Sequence, residues 1–335
     1  MAACGGATAE EVVEPSGSST ATSAATDSAS TAEEAGEDTA EEAGEDAEAA
    51  ADADESGFPI VVTDETGAEI EIESIERIIP LDGTVAEVVF ALGLGDNVVA
   101  TDLSATYPPE ADALPEIGYQ RALSAEPIAA FSPTVLIGTE IAGPPEVLDD
   151  LRRLGYPVVI VPNEATPEGP AAKVRAVADA LGVSERGEAL ASELEAAIAD
   201  STAPADNDQP VVVALYLRGA STQLVLGEES ATHWLIEAAG GIDAADELGV
   251  IDATPIAPEA ILTVAPDVIL VPSAGLESVG GMEGILDVGG LGETPAGRNG
   301  QIVAFDDQLL LGNGPRTGEV LAELRAALDE ALVES

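Results

Sequence analysis

"SAEPIAAFSPTVLI" at residues 124–137 and "APEAILTVAPDVIL" at residues 257–270 decide the fold, because they align without a gap at an offset of 133. The alignment pairs Glu126 with Glu259, Pro133 with Pro266 and Val135 with Val268. Each copy reads as a short helix stopped by proline, followed by an apolar strand. Upstream of the first copy, "FPIVVTDETGAEIEIE" (58–73) reads as a hairpin turning at Gly67, and "RIIPL" (77–81) as a buried strand. Next come the helix "TVAEVVFALGLG" (84–95), ended by glycines, and a strand expected in "NVVATD" (97–102). Downstream lie the helix "PPEVLDDLRRLG" (144–155) and the strand "PVVIVP" (157–162). Around the second copy, strands are expected in "VVVALYLRG" (211–219), "LVLG" (224–227) and "QIVAFDD" (301–307), and helices in "ATHWLIEAAGG" (231–241) and 317–334. Strands that alternate with helices imply parallel βαβ units. Between the two sets, residues 164–200 carry helical pattern only, with Ser184 expected as a helix cap. The expectation is an α/β fold of two lobes, 58–163 and 206–335. Each has a central, mostly parallel sheet flanked by helices, and a helical connection over 164–205 joins them. A ligand cleft is expected between the lobes.

The charge is lopsided. The 335 residues hold 64 Asp+Glu against 11 Lys+Arg, a formal net charge of -53, yet 46% of the chain is hydrophobic. So few cations exclude binding to nucleic acid through phosphate neutralisation. Residues 1–57 contain 16 of the acids, no Lys or Arg, and mostly Ala, Thr, Ser and Gly otherwise, so composition predicts a disordered acidic tether. Subtracting it leaves 48 acids against 11 bases in residues 58–335, a net of -37. We read that excess as a halophilic surface hydrated for high salt; a folded part as stable without salt as with it would refute this. Cys4 is the only cysteine, so no internal disulfide forms. Its setting, "MAACGG", resembles the cleavage end of a lipoprotein signal, and a lone lipidated Cys4 before a long polar tether suits an exported, membrane-anchored domain.

Hydrolytic and phosphoryl-transfer motifs are absent, and the single histidine, His233, reads as a first-turn helix residue rather than a ligand. An α/β enzyme of unknown reaction is disfavoured because the cleft offers no evident acid/base pair. The scarce basic and aromatic residues say more. Tyr119-Gln120-Arg121 and Tyr216-Leu217-Arg218 place a Tyr-x-Arg in each lobe. In extended chain, residues i and i+2 share a face, so each guanidinium would lie beside its phenol. A nearby cation favours the phenolate, which is a hard anionic ligand for ferric iron. Arginines in the cleft would also suit anionic propionates.

Over residues 59–333 the chain resembles the haem-binding proteins of bacterial haem ABC importers, within the cobalamin and siderophore type of substrate-binding protein. "LDGTVAEVVFALGLGDNVVATDLSATYPPEA", "LPEIGYQRALSAEPIAAFSPTVLIG", "GLESVGG" and "LLLGNGPRT" carry the likeness. The resemblance implies that Tyr119 is the axial ligand to the iron of haem b, the transported ligand, with Arg121 or Arg218 near the phenolate or propionates. It implies Tyr216 as a possible second ligand, and Glu126 and Glu259 as contacts for the permease, itself served by an ATPase. The implied protein is a monomeric, extracytoplasmic binder touching the membrane only through its lipid anchor. A ferric siderophore or a corrinoid is the alternative ligand. Some relatives hold haem with His or Met, and this chain has no matching motif for either, so oxygen ligation by tyrosine alone is expected. Aromatics make up 3% of the residues, so the walls of a porphyrin site would be aliphatic.

Overall fold

The first described element is the predicted hairpin; the computed structural model describes residues 57–204 and 209–334. Strands β1 (Ile60–Thr63) and β2 (Glu69–Ile72) pair antiparallel, and Gly67 supplies the positive φ of +80° that the turn needs. β3 (Ile78–Pro80) follows, then α1 (Gly83–Ala91), whose first turn is capped by Asp82 accepting from the Val85 N–H. "NVVATD" forms no strand: Val98 makes one bridge with Ile78 and Thr101 one with Glu116, since a helical turn at 95–97 and a turn at 103–104 leave little extended chain for a ladder. α2 (Pro109–Asp112), α3 (Ala125–Ala130), β4 (Val135–Gly138), α4 (Pro145–Arg153) and β5 (Val158–Ile160) complete this half. β3, β4 and β5 form a parallel three-stranded sheet.

α5 (Gly169–Ala180) and α6 (Ser184–Ser201) are the helical connection. Ser184 is not the cap expected: it is the first helical residue, and its hydroxyl donates to Asp179 at 2.5 Å.

The second half opens with β6 (Val211–Arg218) and β7 (Thr222–Val225), followed by α7 (Ala231–Ala238), β8 (Ile242–Asp243), α8 (Ala244–Leu248) and β9 (Thr254–Pro255). α9 (Pro258–Val264), β10 (Val268–Pro272), α10 (Ser273–Ser278), α11 (Gly281–Gly284), α12 (Pro295–Asn299) and β11 (Ile302–Phe305) come next. α13 (Asp307–Leu311) and α14 (Thr317–Glu334) close the chain. β6 pairs parallel with β8 and β10, and β10 with β11, as the βαβ reading requires. β7 departs from it by pairing antiparallel with β6, because a link of residues 219–221 can only fold back as a hairpin. β9 then pairs antiparallel with β7.

The internal repeat extends to backbone conformation. Ser132 and Ala265, equivalent under the offset of 133, both adopt a positive φ, +48° and +51°, immediately before Pro133 and Pro266. Proline forbids a following helical turn, so each short helix ends in one left-handed residue and the chain turns into β4 or β10. The described residues form one compact unit, and its main apolar cluster runs from Val85 and Val89 through Val174 and Leu194 to Trp234, Leu324 and Leu328. The connection is therefore a packed part of the shared core.

Candidate functional site

Strand alternation builds the second-half portion of the site. Along β6, Leu215 and Leu217 are fully buried in an apolar cluster, which turns Tyr216 and Arg218 to the opposite face. The Arg218 guanidinium lies 4.4 Å from the centre of the Tyr216 ring. It is held there: Nη1 donates to the Leu217 carbonyl at 2.8 Å, and Nη2 to Asp307 Oδ1 at 2.6 Å. Asp307 also accepts from the Ala274 N–H at 3.2 Å.

The first-half portion is a loop, not a strand. The Ala122 N–H donates to the Tyr119 carbonyl at 2.7 Å, so Tyr119 to Ala122 is a turn and the extended geometry expected for Tyr119-Gln120-Arg121 does not occur. Among the described residues, arginine stacks on tyrosine at Tyr216 and Tyr107 only. The turn is clamped on both sides. Gly118 accepts from the Leu103 N–H, Gln120 accepts from the Gly143 N–H, and Leu123 donates to Gly143. The Gln120 N–H donates to Asp102 Oδ2 at 3.2 Å, and the Ser104 hydroxyl lies 2.8 Å from Asp102 Oδ1 and 2.5 Å from Gln120 Oε1. Burial pushes the Asp102 carboxyl up to about 7, against the Ser104 and Gln120 hydrogen bonds that favour its charge. Tyr119 itself remains 41% exposed, and Leu103, whose N–H bonds the preceding Gly118, is 51% exposed.

Arg218 stacks on Tyr216, and two predicted side chains of the other half are within electrostatic reach of that phenol. Tyr119 and Arg121 both act electrostatically on the Tyr216 phenol. The net effect on Tyr216 reverses the sequence expectation: burial raises its pKa and outweighs Arg218, and the Tyr119 and Asp307 charges raise it further. Arg218 favours the phenolate, but burial outweighs it, and Asp307, its ion-pair partner, works in the same direction as burial. Arg121 is exposed and has no carboxylate partner among the described residues, so its charge is free for an anionic ligand.

Glu126 and Glu259 are both exposed in the first turns of α3 and α9. A hollow of about 500 Å³ adjoins Glu126, lined by Ala125, Ala129, Asp150, Arg153 and Leu154, and Leu154 is 63% exposed. His233 lies in the first turn of α7, as read from sequence, and its Nδ1 lies 3.0 Å from the buried carboxylate of Asp243. Among the described residues no cluster of three or more His, Cys, Asp or Glu could hold a metal ion. Cys4 and the acidic tether lie outside the described residues.

Two residues at the junction escaped sequence reasoning. Asp307 and Gln308 open the short helix α13 with no motif, and their partners are remote in sequence. A second hollow of about 350 Å³ lies at this junction, bounded by Glu87, Phe90, Tyr107, Pro108, Pro315 and Arg316. There Arg316 makes a two-toothed ion pair with Glu87, at 2.9 and 3.0 Å, and lies 3.6 Å over the Tyr107 ring.

The profile of the periplasmic binding protein family matches residues 78–309. Among solved structures, the periplasmic heme-binding protein RhuT from Roseiflexus sp. RS-1 in apo form is 49% identical, with a TM-score of 0.75, covering 76% of this chain and 98% of that one. The heme-binding protein HmuT is 33% identical over 81% of this chain and 90% of its own, also at 0.75. Solved variants of HmuT replace a tyrosine, and an arginine two positions after it, with alanine. HutB, a periplasmic heme-binding protein of Vibrio cholerae, is 28% identical over 76% of this chain and 99% of its own, with a TM-score of 0.69. A curated vitamin B12-binding protein of Vibrio cholerae serotype O1 is 35% identical over 83 residues, 25% of this chain. That match spans only 30% of the relative's length.

Proposed function

The chain belongs to the periplasmic binding protein family, and from that premise we propose that it captures haem between its two lobes outside the cytoplasm and delivers it to an ABC permease. One observation carries the reading: Tyr119 and Arg121 of one half act electrostatically on Tyr216 of the other, the tyrosine on which Arg218 is stacked. Tyr119, exposed on a clamped turn, is the open phenol and ligates the ferric iron. Arg121 offers its charge to a propionate. Tyr216, stacked under Arg218 and harder to ionise, lines the opposite wall and is the secondary ligand. The spacing of the Tyr and Arg substituted in the HmuT variants, two positions, equals that of both Tyr-x-Arg pairs here, which supports a ligand-facing role for this motif. No bond to carbon is made or broken in such a cycle, so the protein acts as a carrier. We take 58–163, 164–205 and 206–335 as the lobes and their connection, and 1–57 as a tether lipidated at Cys4.

Titration of the purified chain with hemin, followed by absorption, tests the reading: a saturable change in the porphyrin band is expected, and no change rejects haem. A corrinoid is the second reading, favoured by the partial match to vitamin B12-binding proteins. Cobalamin then saturates the site in the same titration and hemin does not.

Docking follows from the repeat. Glu126 and Glu259 occupy equivalent positions on two exposed helix starts, and the hollow beside Glu126 offers an apolar seat next to a carboxylate. The permease would meet both with cationic side chains. Reversing both charges, Glu126→Arg with Glu259→Arg, is expected to abolish hemin transport in vesicles carrying the importer while hemin titration stays unchanged. Transport at the unaltered rate would refute this role.

A further inference from the structure

Gln308 reaches from the second half into the first with every polar atom engaged. Nε2 donates to the Gly83 carbonyl at 2.9 Å, to Glu87 Oε2 at 2.9 Å and to the Tyr107 carbonyl at 3.2 Å. Oε1 accepts from the Thr106 N–H at 2.9 Å, the Tyr107 N–H at 3.0 Å and the Thr106 hydroxyl at 3.2 Å. All these partners lie within residues 83–107, more than 200 positions away in sequence. A neutral primary amide is the side chain that both donates and accepts here. A carboxylate would face Glu87 without a proton, and an aliphatic chain would strand buried donors and acceptors.

Two short chains of contacts lead outward from this amide. Asp307, its neighbour on α13, holds Arg218 over Tyr216. On the other side, the Thr106 N–H donates to the Ser104 carbonyl at 3.0 Å, and the Ser104 hydroxyl contacts Gln120 Oε1, beside Tyr119. One turn of α13 thus holds Arg218 directly and reaches the Tyr119 turn through Thr106, Ser104 and Gln120. Lys173 Nζ, bonded to the Gly312 carbonyl at 2.9 Å and the Thr84 hydroxyl at 3.3 Å, fastens the halves without Gln308, and Arg316 keeps its pair with Glu87, whose Oε2 it shares with the amide. Loss of the amide therefore changes local spacing and leaves the halves joined.

We infer that Gln308 is a positioning residue that sets the spacing between Tyr119 and Tyr216, and so decides whether one ligand meets both walls. The inference rests on the haem reading above. The test compares hemin titrations and melting curves for the unaltered chain, Gln308→Leu, Tyr216→Phe and the double variant. Gln308→Leu is expected to bind hemin roughly tenfold more weakly, to give the absorption spectrum of the Tyr216→Phe complex, and to lose less than about twofold more in the double variant. A structural prop alone would lower the melting temperature and affinity but keep the unaltered spectrum, with effects that add; that result overturns the inference. If Gln308→Leu does not fold, Gln308→Asn, which keeps the amide but falls one methylene short, carries the same comparison. Absence of any hemin spectrum in the unaltered chain overturns the haem reading and this inference with it.

Discussion

Tyr119→Phe is expected to lower hemin affinity by roughly a hundredfold, about 3 kcal/mol, while leaving the melting temperature in place. The substitution removes one oxygen from a side chain that is 41% exposed and accepts no structural duty: the turn is held through the backbone of Gly118, Tyr119, Gln120 and Leu123, and by Asp102 and Ser104. What is lost is the one phenol open to solvent at the site. Tyr216→Phe is expected to cost less, about tenfold, because burial already works against the anionic form of that phenol. Absorption titration with hemin measures both. Affinity within threefold of the unaltered chain in Tyr119→Phe would remove that residue as the main ligand, and equal sensitivity at both tyrosines would make them joint ligands of one iron.

The parts of this site that sequence disclosed are those governed by local rules. Period-two alternation put Tyr216 and Arg218 on one face of β6, because Leu215 and Leu217 must be buried. The same rule failed at Tyr119 and Arg121, since the chain there is a turn fixed by bonds to Asp102 and Gly143, and nothing in "GYQRAL" announces those partners. The Tyr216 shift runs against the expectation for a related reason: Arg218, two residues away, is visible in sequence, whereas the burial that outweighs it and the opposing Asp307, 89 positions beyond Arg218, exist only in the fold. The repeat was legible as helix, proline and strand, and the structure adds the left-handed Ser132 and Ala265 that make each helix stop. The hairpin reversal of β7 was hidden because an apolar run shows a strand without showing its direction. Gln308 was invisible: an amide has no charge to pattern, and its role exists only once residues 83–107 are folded beside it.

Replacing Lys173 with Met is expected to destabilise the fold by about 3–5 kcal/mol, against the usual tolerance of surface charge changes. Lys173 is the only lysine in the chain, and its side chain is fully buried on α5. Its ammonium donates to the Gly312 carbonyl at 2.9 Å and the Thr84 hydroxyl at 3.3 Å, so it ties the connection to both halves. Burial pulls its pKa down to about 8, and Asp82, Glu140 and Glu87 work the other way by favouring its charge. Asp82 and Glu87 are themselves 1% and 4% exposed. Methionine keeps the apolar stem but strands a carbonyl and withdraws the cation those carboxylates share, which is the costly way to break a buried ionic group. The melting temperature should fall by roughly 10 °C at pH 7. The pH dependence has a definite sign. Above about 8 the folded lysine gives up its proton, whereas the unfolded one keeps it to 10.5, so this group adds stability as pH rises through that window. The variant lacks that gain, and the gap between the two melting curves should widen from pH 8 to 10. A variant as stable as the unaltered chain at pH 7 would mean that the carboxylates do not need the ammonium and that the hydrogen bonds to Asp82 from Thr84, Val85 and Thr139 suffice to hold its charge.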